Sequence, residues 1–404
     1  MAEDEDEEAR VTVRRLATLG GRPAFAERVP FTRPTLPAYA AVAPAFREIL
    51  RTGMITKGRY LRELEGTASS YMGATVLGVS SCTVGLVLAL QALRIDGEVI
   101  LPSFTFLATA SAPSVLGLPL RFVDVRRDSW TIDPRAVEAA ITPRTAAVIG
   151  VHTFGAPADV DALQEICTRR GLALIMDAAH GLGALRRGRP VGAVADAEVF
   201  SMSPTKLIAA GEGGLVSTRR PEVAERIEAL REYGNAGDYT TVQPGLNGRL
   251  DELSAVLAIA GFRALEANAK RRNRLAELAK RELKDVPGVS WQGVAVGDRS
   301  SYKDLTVVVE PKEFGCSRDD VARALLAEGV DTRKYYVPLV HRHPAFAGAS
   351  TEALPVSSWL ESRVLSLPLY SHMPLGMLRT IAHLVRAINS SASQIADRRG
   401  SRVA

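Results

Sequence analysis

The sequence is short of the features that would send a protein out of a cell or into a membrane. Its 404 residues include only three cysteines, Cys82, Cys167 and Cys316. An odd, scattered set gives no disulfide framework and fits a reducing compartment. No apolar run approaches the ~18 residues that suggest a membrane-spanning helix, and the opening MAEDEDEEAR is acidic where a secretion signal is basic. A cytoplasmic location is expected. Aromatic residues make up 6% of the chain, and the net charge of +5 rests on dispersed arginines, with no basic stripe interleaved with aromatics. Nucleic-acid binding is therefore not expected. The histidines number six, and the nearest pair, His341 and His343, lies in VHRHP. An extended backbone there would turn both rings to one side, but no further ligand accompanies them, so no metal site is expected. No internal repeat is visible.

What is present is a large supply of core. At 47% hydrophobic and 24% charged composition, a chain of this length should bury about 75% of its unfolded surface and divide into more than one domain. Apolar runs predict strands at Val76–Val79, Glu98–Leu101, Leu120–Val123, Ala146–Val151, Leu172–Met176, Ala197–Phe200 and Leu215–Ser217, alternating with helical stretches. That alternation is the mark of an α/β fold, a mostly parallel seven-stranded sheet with helices on both faces. The charged, alanine-rich stretch 250–283 reads as a long helix leading to a smaller α+β unit. In that unit, strands are expected at Lys303–Val309 and Asp331–Tyr336, and helices at Arg318–Glu328 and Gly376–Ser390. The expected partition is a disordered acidic segment 1–15, a large domain 16–265, a small C-terminal domain 266–390, and a flexible polar tail 391–404.

Chemistry enters with Asp177 and Lys206. Asp177 ends the apolar run Leu172–Met176 and so should stand at the carboxyl end of a buried strand, where open α/β sheets hold ligands. Lys206 follows the strand Ala197–Phe200 and precedes the glycine-rich turn Gly211–Gly214. A lysine kept partly unprotonated by burial can condense with an aldehyde, and a carboxylate can keep a pyridine nitrogen protonated. The segment SSCTVGLVLAL adds Ser80, Ser81 and Thr83 at the positive end of a helix, a ready cradle for phosphate, and Ser201 could add a hydroxyl. Taken singly, each piece has an ordinary explanation: a surface lysine, a capping aspartate, a serine-rich helix start. Their order along the chain points instead to a pyridoxal-phosphate enzyme.

From about residue 16 to residue 388 the sequence resembles the DegT/DnrJ/StrS family of sugar aminotransferases. The resemblance is carried in order by GGRPAF, GMITKGRYLRELE, SSCTVGLVLAL, LPSFTFLATASA, VHTFGAPADVDAL, DAAHGLGA, FSMSPTK with GEGG, GLNGRLDELSA and RKYYVPLVHRHPAF. It implies the aspartate-aminotransferase-like (type I) fold of pyridoxal-phosphate-dependent transferases. It also implies pyridoxal 5'-phosphate bound to Lys206 as a Schiff base, with Lys206 moving the proton, Asp177 on the pyridinium nitrogen, His180 near the phenolic oxygen and Phe106 stacked on the ring. The backbone at Ser81, Cys82 and Val84, with the hydroxyls of Thr83 and Ser201, would hold the phosphate. Asn247 would reach that phosphate across a homodimer interface, and Tyr335, Tyr336 and His341 would face the substrate. Cys82 and Val84 stand where the family often has Gly or Ala, and LRIDGEVILP lacks the usual Gly-Asp spacing. Neither departure touches a catalytic position.

The implied reaction is amino transfer from L-glutamate or L-glutamine to a keto group of a nucleotide-linked deoxysugar. Some relatives replace the lysine with histidine and dehydrate instead, so Lys206 argues for transamination. His180 leans towards a carbon-4 ketone. Two alternatives stand beside this expectation: a carbocyclic substrate, as for inosose or aminohydroxybenzoate-forming relatives, and a regulatory member without turnover.

Overall fold

A computed structural model describes residues 15–235, 237, 238 and 240–400, with side chains to residue 397. The acidic segment 1–14 and residues 401–404 lie outside the described residues. Chain order gives the strands β1 (Thr75–Val79), β2 (Glu98–Pro102), β3 (Leu120–Val123), β4 (Thr145–Val151) and β5 (Ala173–Asp177). After them come a small ribbon of β6 (Leu185–Arg186) and β7 (Arg189–Pro190), then β8 (Ala197–Ser201) and β9 (Gly214–Thr218). The last four are β10 (Val289–Trp291), β11 (Leu305–Val309), β12 (Ser350–Thr351) and β13 (Val364–Leu367).

The main sheet runs β1-β9-β8-β5-β4-β2-β3-β12. Only β9 is antiparallel to its neighbours, β1 and β8. Each of the seven expected strands is there. The eighth, β12, is a two-residue addition parallel to β3, too short to register as an apolar run. Both faces of the sheet are buried. Val99, Leu101, Ile149 and Ile175 enter one core beneath the helices Cys82–Ala92 and Pro221–Leu230, while Ile100, Val148, Leu174 and Met176 enter another beneath Val160–Arg170. This two-residue alternation explains why the strands read as unbroken apolar runs.

The long helix Glu252–Glu282 begins at Asp251, whose carboxylate accepts the Ser254 N–H at 2.8 Å, a cap worth about 1 kcal/mol. Its first half puts Leu265 and Ala269 in the core against the main sheet, and its second puts Leu275, Ala276 and Leu278 in the core of the C-terminal unit. The expected cut at 265/266 thus falls inside one continuous helix. The C-terminal core surrounds the antiparallel sheet β10-β11-β13.

Three expectations fail in the C-terminal unit. Asp331–Tyr336 is not a strand: Arg333 alone bridges Ser366 on the free edge of β13, after which the chain turns and packs Tyr336 against Phe154. The VHRHP segment is not extended, since Val340–Arg342 is a 3-10 turn. The stretch from 391 does not simply fray. It forms the helix Ala392–Gly400, whose Ala392 and Ile395 are buried on the C-terminal core.

Candidate active site

Strand register gathers the candidate residues at one edge of the main sheet. Gly214 at the start of β9 pairs with Val79 at the end of β1 and with Ser201 at the end of β8. Asp177 at the end of β5 pairs with Val199 of β8 and Val151 of β4. The carboxyl ends of β1, β4, β5 and β8 therefore meet, as expected where such a sheet binds its ligand. Ser81 follows β1 and caps the helix Cys82–Ala92, its hydroxyl accepting the Val84 N–H at 3.1 Å. Thr83 stays exposed in the first turn, and Ser201 is buried with its hydroxyl accepting the Ser203 N–H. Gly214 closes the cradle from behind: a Cβ there would stand 2.7 Å from Cys82 N. A glycine lets the two backbones approach.

Asp177 is buried, 4% exposed. Its Oδ2 accepts the Thr109 hydroxyl at 2.7 Å and its Oδ1 accepts the Ala179 N–H at 3.1 Å. Thr105 lies 2.8 Å behind Thr109. No salt bridge reaches this carboxylate from the described residues, and burial pushes its pKa up. It is a carboxylate prepared for a positive partner.

Lys206 stands in the turn after β8, its N–H bonded to Ser203 O. Part of the side chain meets solvent, yet protein encloses most of it. Burial first, and then the charge of Lys303, push its ammonium down from 10.5 to about 8. Lys303 is itself buried, its Nζ bound to Asp304 at 2.9 and 3.0 Å and lying 5.4 Å from the Tyr335 ring centre. His180 lies nearby. Burial, with the charges of Lys206 and Lys303 close by, holds its imidazole well below 6.5 and so neutral.

This arrangement agrees with what the chain is similar to. Residues 39–386 match the DegT/DnrJ/EryC1/StrS aminotransferase family. The chain belongs to that family. An Escherichia coli dTDP-4-amino-4,6-dideoxy-D-glucose transaminase is 31% identical, over 85% of this chain and 94% of that protein. The Saccharopolyspora erythraea erythromycin biosynthesis sensory transduction protein EryC1 is 40% identical, over 81% and 90%. Among solved structures, DesI in the presence of its TDP-sugar product superposes with a TM-score of 0.91 at 33% identity, covering 96% of this chain and 99% of that one.

For an aminotransferase of this family pyridoxal phosphate is implied, and the residues fit it. A buried carboxylate without a cation, a lysine depressed towards its free base and a helix start pressed against a glycine form the three contacts the cofactor requires. Phe106, the residue before the helix Leu107–Val115, is 56% exposed, so its ring is not core but surface open to a ligand. Asn247 is exposed, while the next two residues are tied to the cradle's own chain: Gly248 O accepts the Ser80 N–H and Arg249 bridges Val79. Tyr336 is buried, edge-on to Phe104 and parallel to Phe154, and Tyr335 is half-buried. His341 is held by Ser103, whose hydroxyl lies 2.6 Å from its Nδ1 and accepts its backbone N–H at 3.2 Å.

Sequence reading missed Thr109, Phe154, Lys303 and Asp304. Thr109 had a signal, since Thr105 and Thr109 stand one helical turn apart in a segment already singled out. Lys303 and Asp304 read as the opening of a strand, but the strand begins only at Leu305 and nothing in the sequence says that the charged pair before it is buried.

Proposed function

We propose that this chain is a homodimeric aminotransferase that moves an amino group from L-glutamate or L-glutamine to the keto group of a nucleotide-linked deoxysugar. The observation carrying the proposal is Lys206, a largely enclosed amine lowered to about 8, near the carboxylate of Asp177, which has no ion-pair partner among the described residues. Pyridoxal phosphate, when bound, supplies the electron sink that lets a proton leave the carbon bearing nitrogen. Lys206 would hold it covalently, Asp177 would pair with its ring nitrogen, and Ser81, Cys82, Thr83, Val84 and Ser201 would hold its phosphate. Once the incoming donor has freed it, the Lys206 amine would take the proton from the donor α carbon and return it to the carbon on the far side of the nitrogen; with the keto sugar it would move the proton in the reverse direction. Thr109 orients Asp177 and, by donating to it, opposes the upward push of burial on its pKa. Phe106 would cover one face of the ring, and Tyr335, Tyr336 and His341 would border the sugar.

A nucleotide-linked sugar is supported by the names of the E. coli transaminase and of the DesI product complex, and the former's 4-amino product agrees with the carbon-4 lean drawn from His180. A dimer is supported by the exposed Leu50, Met54 and Ile55 (70%, 54% and 56%), a run of apolar surface at the end of the helix Tyr39–Thr52. Asn247 is the residue proposed to cross that interface. Among the described residues no helix is long and apolar enough to cross a membrane; a cytoplasmic location is part of the proposal.

The test is the visible spectrum of the purified chain with pyridoxal phosphate. A band from lysine-bound cofactor that disappears on adding L-glutamate or L-glutamine, and returns with a keto sugar, supports the reading. Its return only with a cyclic ketone such as an inosose would transfer the proposal to carbocyclic substrates. The name of EryC1 keeps a regulatory reading in view. That reading predicts a band that no donor alters.

A further inference from the structure

Loops from two different sheets meet on His180. The segment entering β11 lies against the turn after β4, Ser301 N–H donating to Gly155 O at 3.0 Å and Lys303 N–H to Phe154 O at 3.1 Å. Ser301 Oγ continues inward and donates to His180 O at 2.6 Å. Gly155, at φ 97°, makes room for that hydroxyl, because a Cβ there would overlap it. Phe154 itself is held at φ 55° and ψ 10°, a left-handed conformation uncommon for a bulky side chain. In that conformation its N–H donates to His180 Nδ1 at 3.1 Å. Its ring lies nearly parallel to those of His180 and Tyr336, with centres 6.4 and 5.5 Å away.

A backbone N–H can donate but not accept. Nδ1 therefore carries the lone pair, and the proton of the neutral ring is on Nε2. We propose that the Phe154 turn is a tautomer lock, fixing His180 as a hydrogen-bond donor through Nε2 to whatever binds beside Lys206 and removing it from proton transfer. Charging the ring would place a second proton on Nδ1, against the Phe154 N–H. The charges around His180 oppose it too. Lys206 after β8 and Lys303 before β11 disfavour an imidazolium, His152 after β4 accepts the Ala158 N–H at its own Nδ1, Asp304 is engaged by Lys303, and the Tyr336 phenol is buried and neutral. The strained Phe154 is a positioning residue, and its strain has a use: it aims an N–H at a ring nitrogen. The purpose of the lock rests on the aminotransferase reading, in which a second base near Lys206 would compete for the proton. The tautomer itself requires no ligand.

The experiment is nitrogen-15 NMR of the full-length chain labelled at histidine, with and without pyridoxal phosphate, from about pH 6 to 9, across the ordinary histidine midpoint. A His180→Gln sample identifies the resonances. The expected result is an unprotonated Nδ1 and a protonated Nε2, both unchanged across the range. A proton on Nδ1, or titration near the usual 6.5, overturns the proposal. Turnover supplies a second readout. His180→Leu should lower kcat about a hundredfold, the scale of one lost donor. His180→Gln, which keeps an N–H, should recover part of that, and neither should displace the pH at which activity half-develops. A displaced midpoint means that His180 titrates and the lock is wrong. If no cofactor band forms, the function fails while the tautomer is still read from the apo chain.

Discussion

Thr109 Oγ1 donates to Asp177 Oδ2 at 2.7 Å, from the helix that follows β2, a strand two places from β5 in the sheet. A hydrogen bond to a charged group is worth about 1.5–3 kcal/mol. Thr109→Val should therefore weaken pyridoxal-phosphate binding or turnover about tenfold to a hundredfold, and Asp177→Ala should slow proton transfer by orders of magnitude. Titration with cofactor and steady-state rates measure both. Wild-type behaviour in Thr109→Val would make Oδ1, held by Ala179, the working oxygen.

An amine attacks an aldehyde only as the free base. Because Lys206 is depressed to about 8, capture of pyridoxal phosphate by the apo chain should accelerate with pH up to about 8 and level off above it. A surface lysine would keep accelerating to about 10.4. Stopped-flow absorbance across that range decides the matter, and Lys206→Ala should give no capture and no turnover in a folded chain.

The same depression carries a stability cost. With the folded pKa below the unfolded one, the unfolded chain binds the extra proton between pH 8 and 10.5, so stability rises with pH through that window and the penalty is complete below it. A fall from 10.5 to about 8 corresponds to at most ~3 kcal/mol. Lys206→Met should raise the apo melting temperature at pH 7 and lose that advantage by pH 11. An equal gain at both pH values would assign it to packing alone.

Lys303→Met removes a buried ammonium and leaves Asp304, 4% exposed, without its partner. Breaking such a pair costs about 3–5 kcal/mol, and making Asp304 apolar as well should restore most of it. The single variant should also move the Lys206 capture midpoint upward, since a nearby positive charge is lost and a negative one is left unopposed. A downward movement would contradict the assigned environment.

Gly214→Ala would drive a methyl to 2.7 Å from Cys82 N and Ser81 C. Since backbone cannot yield as a flexible side chain does, the cradle must open. Affinity for pyridoxal phosphate, and for inorganic phosphate as a competitor, should fall at least tenfold with the fold retained. Unchanged affinity would remove the Ser81–Val84 turn from the phosphate site.

The main sheet was legible because its strands are covered on both faces, which writes them as apolar runs. Asp177 and Lys206 were legible because strand ends tell where a side chain is delivered. The rest depended on distance along the chain. Thr109 reaches Asp177 across 68 positions and Ser301 reaches His180 across 121, and no local pattern encodes such meetings. Asp331–Tyr336 has the composition of a strand, but Arg333 alone finds ladder partners on β13 and the aromatic residues are needed at the cleft. Ala392 and Ile395 are apolar at helical spacing, a signal hidden by the polar Ser391, Ser393 and Gln394 around them.

The helix Glu252–Glu282 gives one half of its apolar surface to each of two cores. Neither core is closed without it, so a cut at 265/266 would leave both fragments with an exposed greasy end and no independent melting. Heating should therefore give a single calorimetric transition, in which the C-terminal unit and the sheet that carries Asp177 are lost together.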